Sequence, residues 1–258
     1  MILTADYHTH TVFSHGKGKI IDNALKAKEV GLKQIGISDH GFSHPAFGLR
    51  KRYLKKMRTL CDEATKETGV DVLLGIESNI ISTGGLTDLM PDRYKYFDIY
   101  LAGLHKFIMY KPRSVFSLGV KNVLMSTFKV KNIPISLIKT NTKTFINVIK
   151  NNPVDVITHL NYCCYADAVE VAKVASDYGT YIELNSKKVH LSDDELYNIS
   201  KTGVNFVVSS DAHSKGRVGD VKMIEETIKR VGISLDRIHN VNGALPNFRF
   251  KQFKEKNL

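Results

Sequence analysis

Short apolar runs and amphipathic stretches alternate along this chain in a repeating order. Seven runs read as strands: Ile2–Tyr7, Gln34–Ser38, Val70–Ile76, Ile99–Gly103, Val154–Thr158, Tyr181–Asn185 and Asn205–Ser209. Most are rich in Val, Ile and Leu without clean apolar–polar alternation, the pattern of strands buried on both faces. Between them lie stretches with helical spacing: Ile21–Val30, Lys51–Thr68, Ile135–Lys150, Ala166–Tyr178, Asp193–Lys201 and Val221–Val231. Most of these end at or near a glycine (Gly31, Gly69, Gly179, Gly203, Gly232), which takes the left-handed helix-ending conformation without steric cost. Ser192 and Glu195 form a capping box at the start of the fifth. Repeated strand–helix units predict an α/β fold with a closed or nearly closed parallel barrel, with a doubly wound open sheet as the alternative.

Nothing along the chain reads as an interdomain linker, so 1–258 is expected to be a single domain. One segment breaks the rhythm. Residues 106–133 carry several Lys and Arg and no acid, and the segment is too long for an ordinary strand-to-helix loop. It reads as an insertion, either a lid over the barrel mouth or a packed surface excursion.

Composition changes this picture little. Hydrophobic content of 43% and charged content of 24% are those of a globular domain. No apolar run is long enough to span a membrane, and no membrane partner is expected. No secretory leader is read ahead of the first strand, and Cys61, Cys163 and Cys164 make no disulfide framework, so a cytoplasmic location is expected. The net charge of +11 suits phosphate esters, nucleic acid or an anionic membrane, although solvated surface lysines account for most of it.

The candidate chemistry lies at strand ends. His8 and His10 follow the first strand, and an H-x-H pair on extended backbone projects both rings to one side. His15 comes shortly after. His40 follows the second strand, Glu77 the third, His105 the fourth, His159 the fifth, and Asp211 and His213 the seventh. In a parallel barrel those positions share one face. Clustering nine ionisable groups is costly unless divalent cations compensate the carboxylates and are ligated by the neutral imidazoles. Nine ligands exceed the needs of one or two four-coordinate ions, so three ions with Glu77 bridging is the natural partition. A thiolate-free, His-rich donor set suits zinc first, with manganese or iron as alternatives.

The stretches "DYHTH", "SHGKG", "SDHG", "GIES", "AGLH", "THL" and "SDAH" resemble, in order, the metal motifs of the PHP (polymerase and histidinol phosphatase) superfamily, over Asp6 to Asp220. The closest likeness is to stand-alone YcdX-like and histidinol-phosphatase-like metal-dependent phosphatases. That resemblance implies a distorted (β/α)7 TIM-like barrel with a trinuclear site at the C-terminal ends of the strands. It assigns His8, His10, Glu77 and Asp211 to a first ion, His15, His40 and His213 to a second, and Glu77, His105 and His159 to a third. Asp6 and Asp39 then read as carboxylates orienting ligand imidazoles, with loop caps as the alternative.

The expected function is hydrolysis of a small phosphate monoester from a phosphorylated metabolite, with a metal-bound water as nucleophile. Arg217 and Lys215, and more weakly Lys106 and Lys187, are candidates for holding the phosphate. His44 and His190 are candidates for a proton donor or substrate contact, although surface loop positions suit them better, and His239 reads as structural. A phosphodiesterase or nuclease using the same ions is the alternative, with the basic insertion tracking a nucleic-acid backbone. A non-catalytic regulatory metal-binding domain is the other.

Overall fold

Strand pairing follows chain order. The computed structural model describes residues 1–128, 130 and 132–257. Strands β1 (Ala5–Thr9), β2 (Gln34–Ile37), β3 (Asp71–Asn79), β4 (Ile99–Gly103), β5 (Val156–Ile157), β6 (Tyr181–Asn185) and β7 (Phe206–Ser209) form one parallel sheet, each beside its sequence neighbour. The two edges meet just past the strands: the His10 N–H donates to the Ala212 carbonyl at 2.8 Å, and the Ala212 N–H to the His8 carbonyl at 3.2 Å. The sheet is therefore a nearly closed (β/α)7 barrel, and the open doubly wound alternative is excluded. Helices α1 (Ile20–Glu29), α2 (Leu54–Thr68), α3 (Lys121–Thr127), α4 (Ile135–Asn151), α5 (Ala168–Tyr178), α6 (Asp193–Ser200), α7 (Lys222–Val231) and α8 (Arg249–Asn257) complete the fold. Their apolar faces join the outward strand residues, such as Ile35, Leu74, Ile182 and Val208, in the main core.

The inward strand residues explain where the chemistry sits. Ala5, Tyr7, Ile99, Leu101, Val156, Tyr181 and Val207 fill the lower barrel and close on Phe248. Further along the inward faces, two residues past Gly75, Tyr181 and Ser209, come Glu77 on β3, Glu183 on β6 and, just past β7, Asp211. The rows of β6 and β7 thus begin apolar and end ionisable, because side chains on one strand face repeat every second residue. Strand β1 breaks that parity. Its register with β2 shifts between Asp6 and Thr9, and the irregularity lets both Tyr7 and His8 face inward.

Several elements differ from the sequence expectation. Strand β1 starts at Ala5 rather than Ile2, because Leu3 pairs antiparallel with Val241 and the Thr4 N–H donates to the Asn240 carbonyl at 2.8 Å. Strand β3 runs on to Asn79 and so contains Glu77. Helix α8 was not anticipated. Its Phe250 is fully buried and meets Tyr94 and Tyr100 edge to face at 5.0 and 5.4 Å.

The insertion is helical rather than an extended loop: a three-ten turn (Pro112–Ser114), a π turn (Val115–Val120) and α3. It is anchored by Asn122 and Asn141, whose side-chain amides exchange two hydrogen bonds of 2.9 Å. Gly119 permits this docking, since a Cβ there would lie 3.1 Å from the Tyr110 ring. Lys129 and Lys131 of this segment lie outside the described residues.

Asp155 ties β5 to the C-terminal segment. Its carboxylate accepts the Tyr100 N–H at 2.9 Å and the Phe250 N–H at 2.8 Å. Burial pushes this carboxyl up from 3.8 to about 7, and the two N–H donors only partly oppose the shift. Between those values the folded chain holds a proton that the unfolded chain releases, so this group's contribution to stability falls as pH rises through that window. Replacing Asp155 with Asn is expected to remove that slope. Denaturant titrations across the window check it, and parallel wild-type and variant curves would contradict it.

Candidate metal centre

Every candidate ligand arrives at the C-terminal end of the barrel, and the arrangement centres on Glu77. This buried carboxylate faces five imidazoles: His40 Nδ1 at 2.7 Å, His159 Nε2 at 2.7 Å, His105 Nε2 at 3.0 Å, His8 Nε2 at 3.3 Å and His10 Nε2 at 3.7 Å. Asp211 supplies the second carboxylate, 3.4 Å from His10 Nε2 and 3.2 Å from His213 Nδ1. His15 approaches from the first loop, its ring 4.7 Å from that of His213 and 5.7 Å from that of His40. The structure therefore gathers His8, His10, His15, His40, Glu77, His105, His159, Asp211 and His213 around one space.

Backbone geometry at the site is unusual. His159 and Asp211 both have positive φ, +29° and +48°, a region that L-residues enter at a cost and that concentrates at functional sites. Gly103 makes room for the first of these, His159. A Cβ at that position would lie 2.3 Å from Thr158 Oγ1 and 2.9 Å from His159 Cε1.

The donor set fits divalent cations. One carboxylate cannot satisfy five rings, and His8 Nε2 and both His10 ring nitrogens are buried with no hydrogen-bond partner. Leaving a buried polar group unpaired costs about 1–3 kcal/mol, and a cation would take up these lone pairs. Three sets of ligand atoms converge closely enough for an ion: His8, His10 and Asp211; His10, His40 and His213; His40, Glu77 and His105. The first lies within the first-ion group expected from the sequence. The others place His40 with both Glu77 and His213, so the rings are less cleanly partitioned than the motif reading has them.

The electrostatics agree with a cation site. Burial pushes the Glu77 carboxyl up, but His105, His8 and His40 outweigh it and hold it well below the usual carboxylate range. For Asp211 burial acts the same way, and His8, His10 and His213 reverse it. His10 is held well below the ordinary imidazole value by burial and by His40, leaving it a neutral ring with one nitrogen lone pair free for an ion.

One orienting residue escapes the motif reading. Glu183 accepts from His8 Nδ1 at 2.6 Å with one oxygen and from the His159 N–H at 2.7 Å with the other. That contact fixes the His8 tautomer and turns Nε2 into the site. The signal was present in sequence as a lone acid inside the apolar run "YIELN". For Asp6 and Asp39, read as orienting imidazoles or capping loops, the hydrogen bonds are those of the second reading. Asp6 accepts from the Ser210 hydroxyl and from the Ser210 and Gly219 N–H groups. Asp39 accepts from Thr11 N–H and hydroxyl and from the Ser14 hydroxyl. These contacts brace the first loop and the segment after β7, both of which carry candidate ligands. Asp88 does similar work beside β3, accepting from Ser43, Ser78 and Asn79 at 2.7–2.9 Å.

A cavity of about 290 Å³ opens over the ligands, and its far wall consists of Tyr162, Asn185, Lys187, Lys188 and His190. Lys187 reaches furthest in, with Nζ 3.3 Å from Asp211 Oδ1 and 3.2 Å from His213 Nδ1. Tyr162 and His190 stack edge to face at 5.1 Å. The other basic candidates lie elsewhere: Arg217 is paired with Asp220 at 2.5 Å, and neither it, Lys215 nor Lys106 lines the cavity. No described residue of the insertion lines it either. His44 stacks against Phe47 at 4.9 Å, and His239 bonds Tyr181 at 3.1 Å, away from the ligands.

Comparison with known proteins agrees with this architecture. The PHP domain profile matches residues 6–187. A probable phosphatase of Thermoanaerobacter sp. (strain X514) is 31% identical over 266 residues, covering 99% of this chain and 98% of the relative. A probable phosphatase of Clostridium botulinum (strain Hall) is 28% identical, covering 91% and 89%. Among solved structures, histidinol phosphate phosphatase from Lactococcus lactis, crystallised with zinc, L-histidinol and phosphate, superposes with a TM-score of 0.62 at 15% identity, covering 97% of this chain and 98% of that one. With seven parallel strands carrying this motif series in order, the chain belongs to the PHP domain family.

Proposed function

We propose that this chain is a metal-dependent phosphatase, hydrolysing a small phosphate monoester at a three-ion centre built on Glu77. The observation that carries the reading is the convergence of five imidazoles on one buried carboxylate, with buried ring nitrogens left unpaired. The phosphatase names of relatives that align over nearly the whole chain support it. So does the Lactococcus lactis structure of the same fold, whose contents include zinc and phosphate. Divalent ions at such a centre, zinc first, supply charge neutralisation for the phosphoryl oxygens and a water of lowered pKa as nucleophile.

The protein's own groups would then do the following. His8, His10 and Asp211 hold one ion, His15, His40 and His213 a second, and Glu77, His105 and His159 a third. Lys187, at the cavity wall, meets a phosphate oxygen with its ammonium group. The cavity volume and the edge-to-face pair of Tyr162 and His190 suit a compact leaving group with an apolar or aromatic part. A polynucleotide is disfavoured because no described residue of the basic insertion lines the cavity.

Release of phosphate from p-nitrophenyl phosphate by metal-loaded protein tests the reading directly. His10→Ala and a chelator are each expected to lower turnover by about a hundredfold or more. Lys187→Ala is expected to raise KM by roughly tenfold with a smaller change in kcat. Glu183→Gln should weaken metal affinity by about 10–100-fold in a competition titration, since it no longer orients His8 as an acceptor. Tight metal binding without turnover on any ester would instead assign the chain a regulatory role. Steeply salt-dependent cleavage of nucleic acid would assign it to the diesterases.

A further inference from the structure

The π turn and helix α3 are buried on one face and apolar on the other. Leu118, Gly119 and Asn122 pack against the body of the protein. The opposite face carries Phe116, Val120, Leu124 and Phe128, one every fourth residue, exposed by 64%, 41%, 44% and 73%. That spacing aligns them in a single stripe along the helix. The approach to the helix also exposes Phe107 and Met109. A surface helix normally turns such residues inward, and a continuous apolar face left in water marks an interaction site.

The charge around the stripe identifies its partner. Lys111, Arg113 and Lys121 lie on this segment, and residues 106–133 include no Asp or Glu. The Lys121 ammonium sits 5.1 Å from the centre of the Phe116 ring, so cation and apolar surface are adjacent. A second copy of this chain would bring a like-charged face against it, in a molecule whose net charge is already +11. The segment carries three described cations besides Lys106, at Lys111, Arg113 and Lys121, and no acid to pair with them. Large apolar side chains on one face of a short helix, with cations beside them and no acids, suit a plane of anionic headgroups over hydrocarbon.

We propose that this face binds peripherally to an anionic lipid bilayer. Phe116, Val120, Leu124 and Phe128 enter the boundary between headgroups and acyl chains, and Lys111, Arg113 and Lys121 meet the lipid phosphates. No helix of the described residues is long and apolar enough to cross a membrane. The sequence expectation of no membrane partner rested on the lack of a spanning segment, and the proposal goes beyond it. The segment follows His105 at the barrel end that carries the cavity, and the Tyr110 hydroxyl donates to the His105 carbonyl at 2.7 Å. Docking would therefore hold that end of the barrel near the lipid. The proposal is independent of the phosphatase reading.

Co-sedimentation of the full chain with phosphatidylglycerol–phosphatidylcholine vesicles tests it. The wild type should pellet with these vesicles, pellet poorly with phosphatidylcholine alone, and be released by salt. The triple variant Phe116→Ser, Leu124→Ser, Phe128→Ser should bind roughly tenfold or more weakly while keeping the wild-type circular dichroism. Phe128→Glu, a single change at the most exposed position, gives the same prediction if the triple variant does not fold. A wild type that stays in the supernatant, or equal binding to neutral vesicles, overturns the proposal. So does variant binding equal to wild type. Light scattering that shows a wild-type dimer converted to monomer by the triple variant also overturns it and assigns the face to a second copy.

Discussion

The contact on which the rest of this structure depends is that of Glu77 with its surrounding imidazoles. A single carboxylate sits in the barrel mouth, and five rings from five different strands or loops approach it within 3.7 Å. No combination of protonation states satisfies such a cluster well. Charging every ring sets cation against cation, and leaving all neutral strands lone pairs away from water. The fold tolerates the arrangement because it is built for a further positive component, and the bracing around it follows from that requirement. Glu183 turns His8, Asp6 and Asp39 fix the loops, and Gly103 clears space for a histidine in a rarely used backbone conformation.

The barrel supplies this arrangement through alternation. The inward rows of β6 and β7 spend their first positions on apolar packing and their last on chemistry, so one strand contributes to both stability and function. Strand β1 needs something more. Its tyrosine belongs to the core and its next residue to the site, and only a register irregularity allows both to face inward. Alternation alone would have turned one of them outward.

Much of this was legible in the sequence. The seven strands, most helices, the parallel order and the gathering of His8 through His213 at one end all follow from the apolar pattern and from which residues stand at strand ends. What escaped had physical causes. Helix α8 is rich in Lys and polar residues, and a single buried side chain, Phe250, seats it, so no periodic stripe announces it. Glu183 was hidden because it lies within a strand rather than after one. Arg217 looked available beside the last ligand, and its pairing with Asp220 depends on a turn that spacing does not reveal. The reach of Lys187 into the cavity likewise depends on how the loop after β6 folds back. The share of each ring in any one ion is not a sequence property at all, since it rests on rotamers.

Closure of the barrel has a kinetic meaning as well. The first and last strands meet where His8 and His10 hydrogen-bond to Ala212 through their backbones, a contact spanning some two hundred residues of chain. Contacts of that separation carry a large loop-closure entropy. Two of the ligand sets straddle this seam, joining His10 to Asp211 in one and to His213 in the other. An ion bound there stabilises only the closed barrel, so it would act as a clasp on a junction between distant parts of the chain. Metal supply would then govern the lifetime of the native state as well as its chemistry.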